Sequence, residues 1–105
     1  MDVVINSSSL ESPVIAPSGE QAWSAVAVSE IMQQAIDNGW LVLGGDVITD
    51  KGQYAYDNWY YNPNPNISIK DNVELSVFKC RDYVNTYISR NQGQFYFVLV
   101  LTPTI

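Results

Sequence analysis

WLVLGGDVITDKGQYAYDNWYY, residues 40–61, holds the fold decision of this chain. WLVLGGDVI at 40–48 reads as a strand, and Gly44-Gly45 inside it as a bulge or kink. TDKGQ at 49–53 is a turn cluster, and QYAYDNWYY at 53–61 returns as a second strand, so the pair predicts an antiparallel hairpin. Alternation along the return strand puts Asp57, Trp59 and Tyr61 on one face and Asn58 and Tyr60 on the other. A carboxylate is costly to bury unpaired, so the Asp57 face is expected outward, taking Trp59 and Tyr61 with it.

Working outward from the hairpin, NPNPNIS at 62–68 cannot continue a sheet. Each proline lacks a ladder donor and restricts the residue before it, so the strand stops near Tyr61. A second helix is expected to start at Asp71 with Glu74 as its capping-type partner, and Val73, Val77, Cys80, Val84, Tyr87 and Ile88 form its apolar stripe. FYFVLVL at 95–101 is rich in β-formers and marks a buried central strand. Before the hairpin, Ser18 and Gln21 suggest a capping box opening a first helix over about residues 19–37. Its stripe is Val28, Ile31, Met32, Ala35 and Ile36, and Asn38-Gly39 offers a left-handed stop. Trp23 lies off that stripe, to pack against the N-terminal arm or to meet a partner. Residues 1–17 read as a loose arm or irregular edge strand.

The order helix, strand, strand, helix, strand predicts an α+β fold: a two-layer sandwich with a small, mainly antiparallel sheet and both helices on one face. A right-handed crossover through the second helix would set the last strand beside the first hairpin strand. At 105 residues the chain is expected to be a single domain, 1–105.

Composition narrows the function. Five Lys and Arg against eleven Asp and Glu give a formal charge of −6. That balance disfavours nucleic acid, whose binding needs basic side chains, and favours a basic partner. The start, MDVVINSSSLES, has no basic-then-apolar export signal, and no stretch reaches the roughly 20 apolar residues that span a bilayer. With a single cysteine, Cys80, the expectation is a cytoplasmic protein without membrane contact.

Catalytic chemistry finds little to work with. The chain has no histidine, which removes the usual general base and His-dependent triads and metal sites. Cys80 sits on an apolar helix stripe, where a thiol is inert core. Asp46, Asp50 and Asp57 lie in or beside the hairpin and offer oxygen ligands for Mg²⁺ or Ca²⁺, or a pair for glycoside hydrolysis. DVITDKG does not fit a calcium-binding loop, however, and Asp50-Lys51-Gly52 is ordinary turn composition. No metal, cofactor or catalytic residue is therefore expected. An outward Trp and Tyr beside carboxylates have the composition of a protein-binding hot spot, with a sugar-stacking platform as the alternative.

GGDV at 44–47 followed by YDNWY at 56–60, an amphipathic helix and a terminal apolar strand resembles the immunity protein 40 family of bacterial polymorphic toxin systems, over roughly residues 20–101. The family signature falls on Gly44, Gly45, Asp46 and Val47, and on Tyr56, Asp57, Asn58, Trp59 and Tyr60. DNVEL at 71–75 departs from the Ser-Trp-Glu-like opening expected there. The resemblance implies an α+β antidote that binds a cognate toxin domain, a basic one by charge, and blocks it without catalysis. Combined with the hairpin reading, the expected toxin-binding residues are Asp46, Asp50, Asp57, Trp59 and Tyr61. Gly44, Gly45, Tyr56, Asn58 and Tyr60 are motif positions open to a structural role. A small carbohydrate-binding module using the same aromatics is the alternative, and a carboxylate-dependent metalloenzyme a third.

Overall fold

A computed structural model describes residues 3–104; Met1 and Asp2 of the expected arm, and Ile105, lie outside the described residues. The elements are β1 (Val14–Ile15), β2 (Gln21–Trp23), α1 (Ala25–Asn38), β3 (Trp40–Thr49), β4 (Tyr54–Tyr60), α2 (Ile69–Arg90) and β5 (Phe95–Pro103). The strands form one sheet in the order β1-β2-β5-β3-β4, with every neighbouring pair antiparallel. This is the α+β sandwich expected, and the last strand does lie beside the first hairpin strand.

Both helices cover the same sheet face. Val28, Ile31, Met32 and Ala35 of α1 and Val77, Cys80 and Val84 of α2 share one core with Trp40, Val42, Val47, Trp59 and Phe97 of the strands. The stripes read from 3.6-residue periodicity are therefore the buried faces, apart from Ile36 and Ile88 at their ends, which stay exposed. Gly39 caps α1 in the left-handed region, donating its N–H to Ala35 O.

Two helix starts differ from expectation. Residues 21–23 are not the first turn of α1 but the strand β2, paired to β5 with Trp23 opposite Phe97. Burying the indole in the sheet layer outweighs the local capping signal at Ser18, whose hydroxyl instead donates to Glu20 Oε1 at 2.9 Å within the β1–β2 turn. Ser24 is the true cap, accepting from the Ala27 N–H at 3.2 Å. Trp23 is thus core and does not await a partner. Likewise α2 opens at Ser68, whose hydroxyl accepts from the Asp71 N–H at 3.0 Å. Asp71 lies inside the first turn, where its charge favours the positive helix end.

The sheet face away from the helices is only half open. Ala16, Ala22, Ile48 and Val98 form a second small core there, edged by Val14, Tyr54 and Tyr96. The chain from β1 into its turn thereby closes one end of that face and leaves the end around Leu43, Asp46, Asn58, Tyr60 and Val100 uncovered.

The pairing of β3 with β5 shifts between Val42 and Gly44, the bulge that the glycine pair foretold. Such an irregularity disturbs the backbone pairing beside it. Here the Val42 N–H donates to Ser76 Oγ at 3.0 Å, and that hydroxyl donates to Val73 O at 2.9 Å, so a fully buried serine on α2 locks the helix to the bulge. Ser76→Ala is expected to lower stability by roughly 1–3 kcal/mol, the cost of a buried N–H left unpaired. The urea midpoint should fall while the slope of the transition is unchanged.

Candidate functional site

The return strand β4 is an edge strand, and its two faces have different duties. Asp57, Trp59 and Tyr61 do share a face, as alternation requires, but that face lies under α2 and not toward solvent. The Trp59 indole is 6% exposed and stacks on Tyr83 at 4.7 Å between centroids. Tyr61 donates its hydroxyl to Asn72 Oδ1 at 2.7 Å. Asp57 remains exposed at the rim, where it accepts the Tyr87 hydroxyl at 2.7 Å. The outward placement expected of Trp59 and Tyr61 is therefore corrected. A rim carboxylate avoids burial by its position on the edge strand, so it does not force its whole face outward.

Trp59 also explains half of the glycine pair. Gly45 lies opposite Trp59 in the β3–β4 ladder, and a Cβ at Gly45 would stand 2.5 Å from the indole Cη2 and run into the Val98 carbonyl. Gly44 has φ +148°, and a Cβ there would strike the Trp59 carbonyl oxygen. The indole Nε1–H is buried with no partner among the described residues. Leaving it so costs roughly 1–3 kcal/mol, against roughly 4–6 kcal/mol gained by burying an indole, so the packed arrangement wins.

Beyond Trp59 the aromatic stack continues through Tyr83 to Tyr87, which meets Phe95 edge-on at 5.0 Å. Burial pushes the Tyr87 phenol up to about 12, helped by its hydrogen bond to Asp57 and by that carboxylate's charge. Burial, then the Asp57 charge, also raises Tyr83. The Cys80 thiol is pushed up to about 12 by burial, only partly opposed by Arg81, so it is an inert core group as its position implied.

Asn72 was not singled out by the sequence, yet it fixes the NPNP loop. Its Oδ1 accepts from Tyr61 and from the Asn64 N–H, and its Nδ2 donates to Asn64 O and Ser68 O. A polar residue beside Val73 on the buried side of α2 was the available signal.

The other face of β4 meets solvent. Asp46 and Asn58 lie opposite each other, as do Gly44 and Tyr60. Tyr60 is 63% exposed and Tyr56 93%. Between Asp46 and Ile48 the β3–β4 register shifts so that β4 carries extra residues, and Tyr56 sits there at φ +61°. That left-handed backbone costs a non-glycine residue roughly 1–2 kcal/mol, and the side chain it displays buries almost nothing in return. Farther along the strand, a shallow notch of about 310 Å³ has Leu43, Gly44, Asp46, Asn58, Tyr60 and Val100 around it, and Tyr56 does not line it. On the α2 side of β4, Tyr61, Asn62, Leu75, Phe78, Lys79 and Asp82 line a groove of about 460 Å³, and Lys79 Nζ stands 5.5 Å from the Tyr60 ring centroid.

The three hairpin carboxylates do not converge. Asp46 is on the open face, Asp57 on the helix side and Asp50 in the exposed turn. Among the described residues no group of three or more His, Cys, Asp or Glu side chains is placed to hold a metal ion. The sugar platform loses Trp59 and Tyr61 to the core side, leaving Tyr56 and Tyr60 as its exposed aromatics.

The fold and this surface define a small α+β sandwich whose motif residues divide between a sealed aromatic stack and an uncovered edge. The chain belongs to the immunity protein 40 family, which matches residues 9–101. Neither the curated proteins nor the solved structures yield a match. Among the described residues no helix is long and apolar enough to cross a membrane.

Gly45→Ala is expected to destabilise the fold by at least about 1–3 kcal/mol, since the added methyl meets both the Val98 carbonyl and the Trp59 indole; loss of near-ultraviolet dichroism and a lower melting temperature check this. The Tyr87 shift sets a pH dependence. A phenol held more tightly protonated in the folded chain adds stability that is complete below its unfolded value of about 10 and is lost as pH rises toward 12. The urea midpoint should fall over that window, and Tyr87→Phe should flatten part of the fall.

Proposed function

We propose that this chain is a non-catalytic, cytoplasmic immunity protein that neutralises a cognate bacterial toxin domain by binding and occluding it, through the surface around β4. The observation that carries the reading is the immunity protein 40 match across residues 9–101. Three features of the surface support its location. Tyr56 is exposed on a strained backbone, an arrangement that packing does not reward. Tyr60, four residues on, borders the notch together with Asp46 and Asn58. Asp46 borders the same notch as Tyr60, while Asp50 lies in the exposed turn and Asp57 on the helix-side rim. An exposed aromatic beside a carboxylate suits a basic partner, and the chain's charge of −6 speeds its approach. Trp59, Tyr61, Gly44 and Gly45 serve this surface from beneath by holding β3 and β4 in register.

Co-expression with the neighbouring toxin gene tests the reading. The wild-type chain should restore growth and co-elute with the toxin on a sizing column, and absence of both would sink it. Tyr56→Ala with Tyr60→Ala should weaken the complex at least about tenfold, corresponding to about 1.4 kcal/mol, while the melting temperature stays near wild type. Association should also slow as salt is raised, because the steering charges are exposed.

A further inference from the structure

The notch beside Gly44 has a more specific chemistry than an acidic surface. Its floor is backbone, since neither Gly44 nor Gly45 carries a side chain. Its walls are the exposed Val100, the half-buried Leu43 and Tyr60. Its polar groups are Asp46 and Asn58, which face each other across the β3–β4 ladder. Asp46 is half-buried, and none of the side-chain hydrogen bonds among the described residues uses its carboxylate. Lys79, the cation over the Tyr60 ring, lines the α2-side groove and not this notch.

We propose that this notch takes one arginine side chain presented by the toxin, an assignment that rests on the toxin-binding reading for the source of the arginine. A planar guanidinium can lie against the Tyr60 ring while donating to the Asp46 carboxylate and to the Asn58 amide oxygen. The methylene stem of arginine covers apolar surface well, and Leu43 and Val100 provide it. Lysine fits less well, because its ammonium is a compact, strongly hydrated charge that cannot stack and bond in a plane together. A second copy of this chain is the wrong occupant, since each copy brings a net charge of −6.

The test needs no toxin. N-acetyl-arginine amide is titrated into the full chain labelled with ¹⁵N, with the corresponding citrulline and lysine amides as neutral and non-planar controls. The expected result is a set of shifts centred on the amides of Gly44, Gly45, Asp46 and Asn58 that fits one site, with Kd on the order of 1–10 mM. Citrulline amide should bind at least about fivefold more weakly, as should arginine amide to Asp46→Asn or Tyr60→Leu, in keeping with a charged, stacked contact. Absence of local shifts, equal binding of citrulline amide, or equal binding of lysine amide would each overturn the assignment. The citrulline comparison uses wild-type protein, so it stands even if a variant folds poorly. Growth rescue by the chain without arginine binding would reject the notch and leave the toxin reading intact; arginine binding without rescue would do the reverse.

Discussion

The contact between the Trp59 indole and the bare Cα of Gly45 is the constraint on which the rest depends. It lets the indole lie across β3 within the ladder that pairs the two strands, and it requires a residue without a side chain at the one point where the ring descends. Tyr83 closes the ring from above, so α2 is held to the edge strand by an aromatic stack. Once Trp59 is inside, alternation sends Asn58 and Tyr60 outward, and the open face acquires its composition as a by-product of the core.

Two buried polar contacts extend this hold along α2. Ser76 bonds the β3 bulge, and Asn72 gathers the NPNP loop through four hydrogen bonds. Each satisfies backbone groups that the sheet and helix leave free, which is how a proline-rich loop and a kinked strand stay ordered in a small domain. The helix thus serves as a splint for the hairpin, and the surface around Tyr60 stands on rigid elements.

Much of this was legible in the sequence because it depends on periodicity. The two helix stripes, the hairpin, the stop at the prolines and the central FYFVLVL strand all follow from spacing and turn chemistry, and all are present. What failed depended on long-range pairing. Gln21–Trp23 looked like a helix start because Ser18 and Gln21 satisfy a local rule, but it pairs with β1 on one side and with β5, more than seventy residues away, on the other. The side of the sheet that Asp57 faces was misread for a related reason: the cost of burying a carboxylate says nothing about a residue on the rim, where Tyr87 reaches it without enclosing it. Alternation named the members of each face correctly but could not say which face α2 would cover. Tyr60 and Asn58, grouped with the structural motif positions, are on the uncovered side, and Trp59, expected there, is not.

The irregularity at Tyr56 has one more consequence. A sheet edge with straight, evenly spaced backbone groups is a template onto which another chain can add, and β4 is an edge strand. The surplus residues and the left-handed turn at Tyr56 break the spacing of those groups midway along the strand, the kind of irregularity that interrupts continuous strand addition. The same kink that displays the tyrosine is thus also a break in the backbone template of the sheet edge.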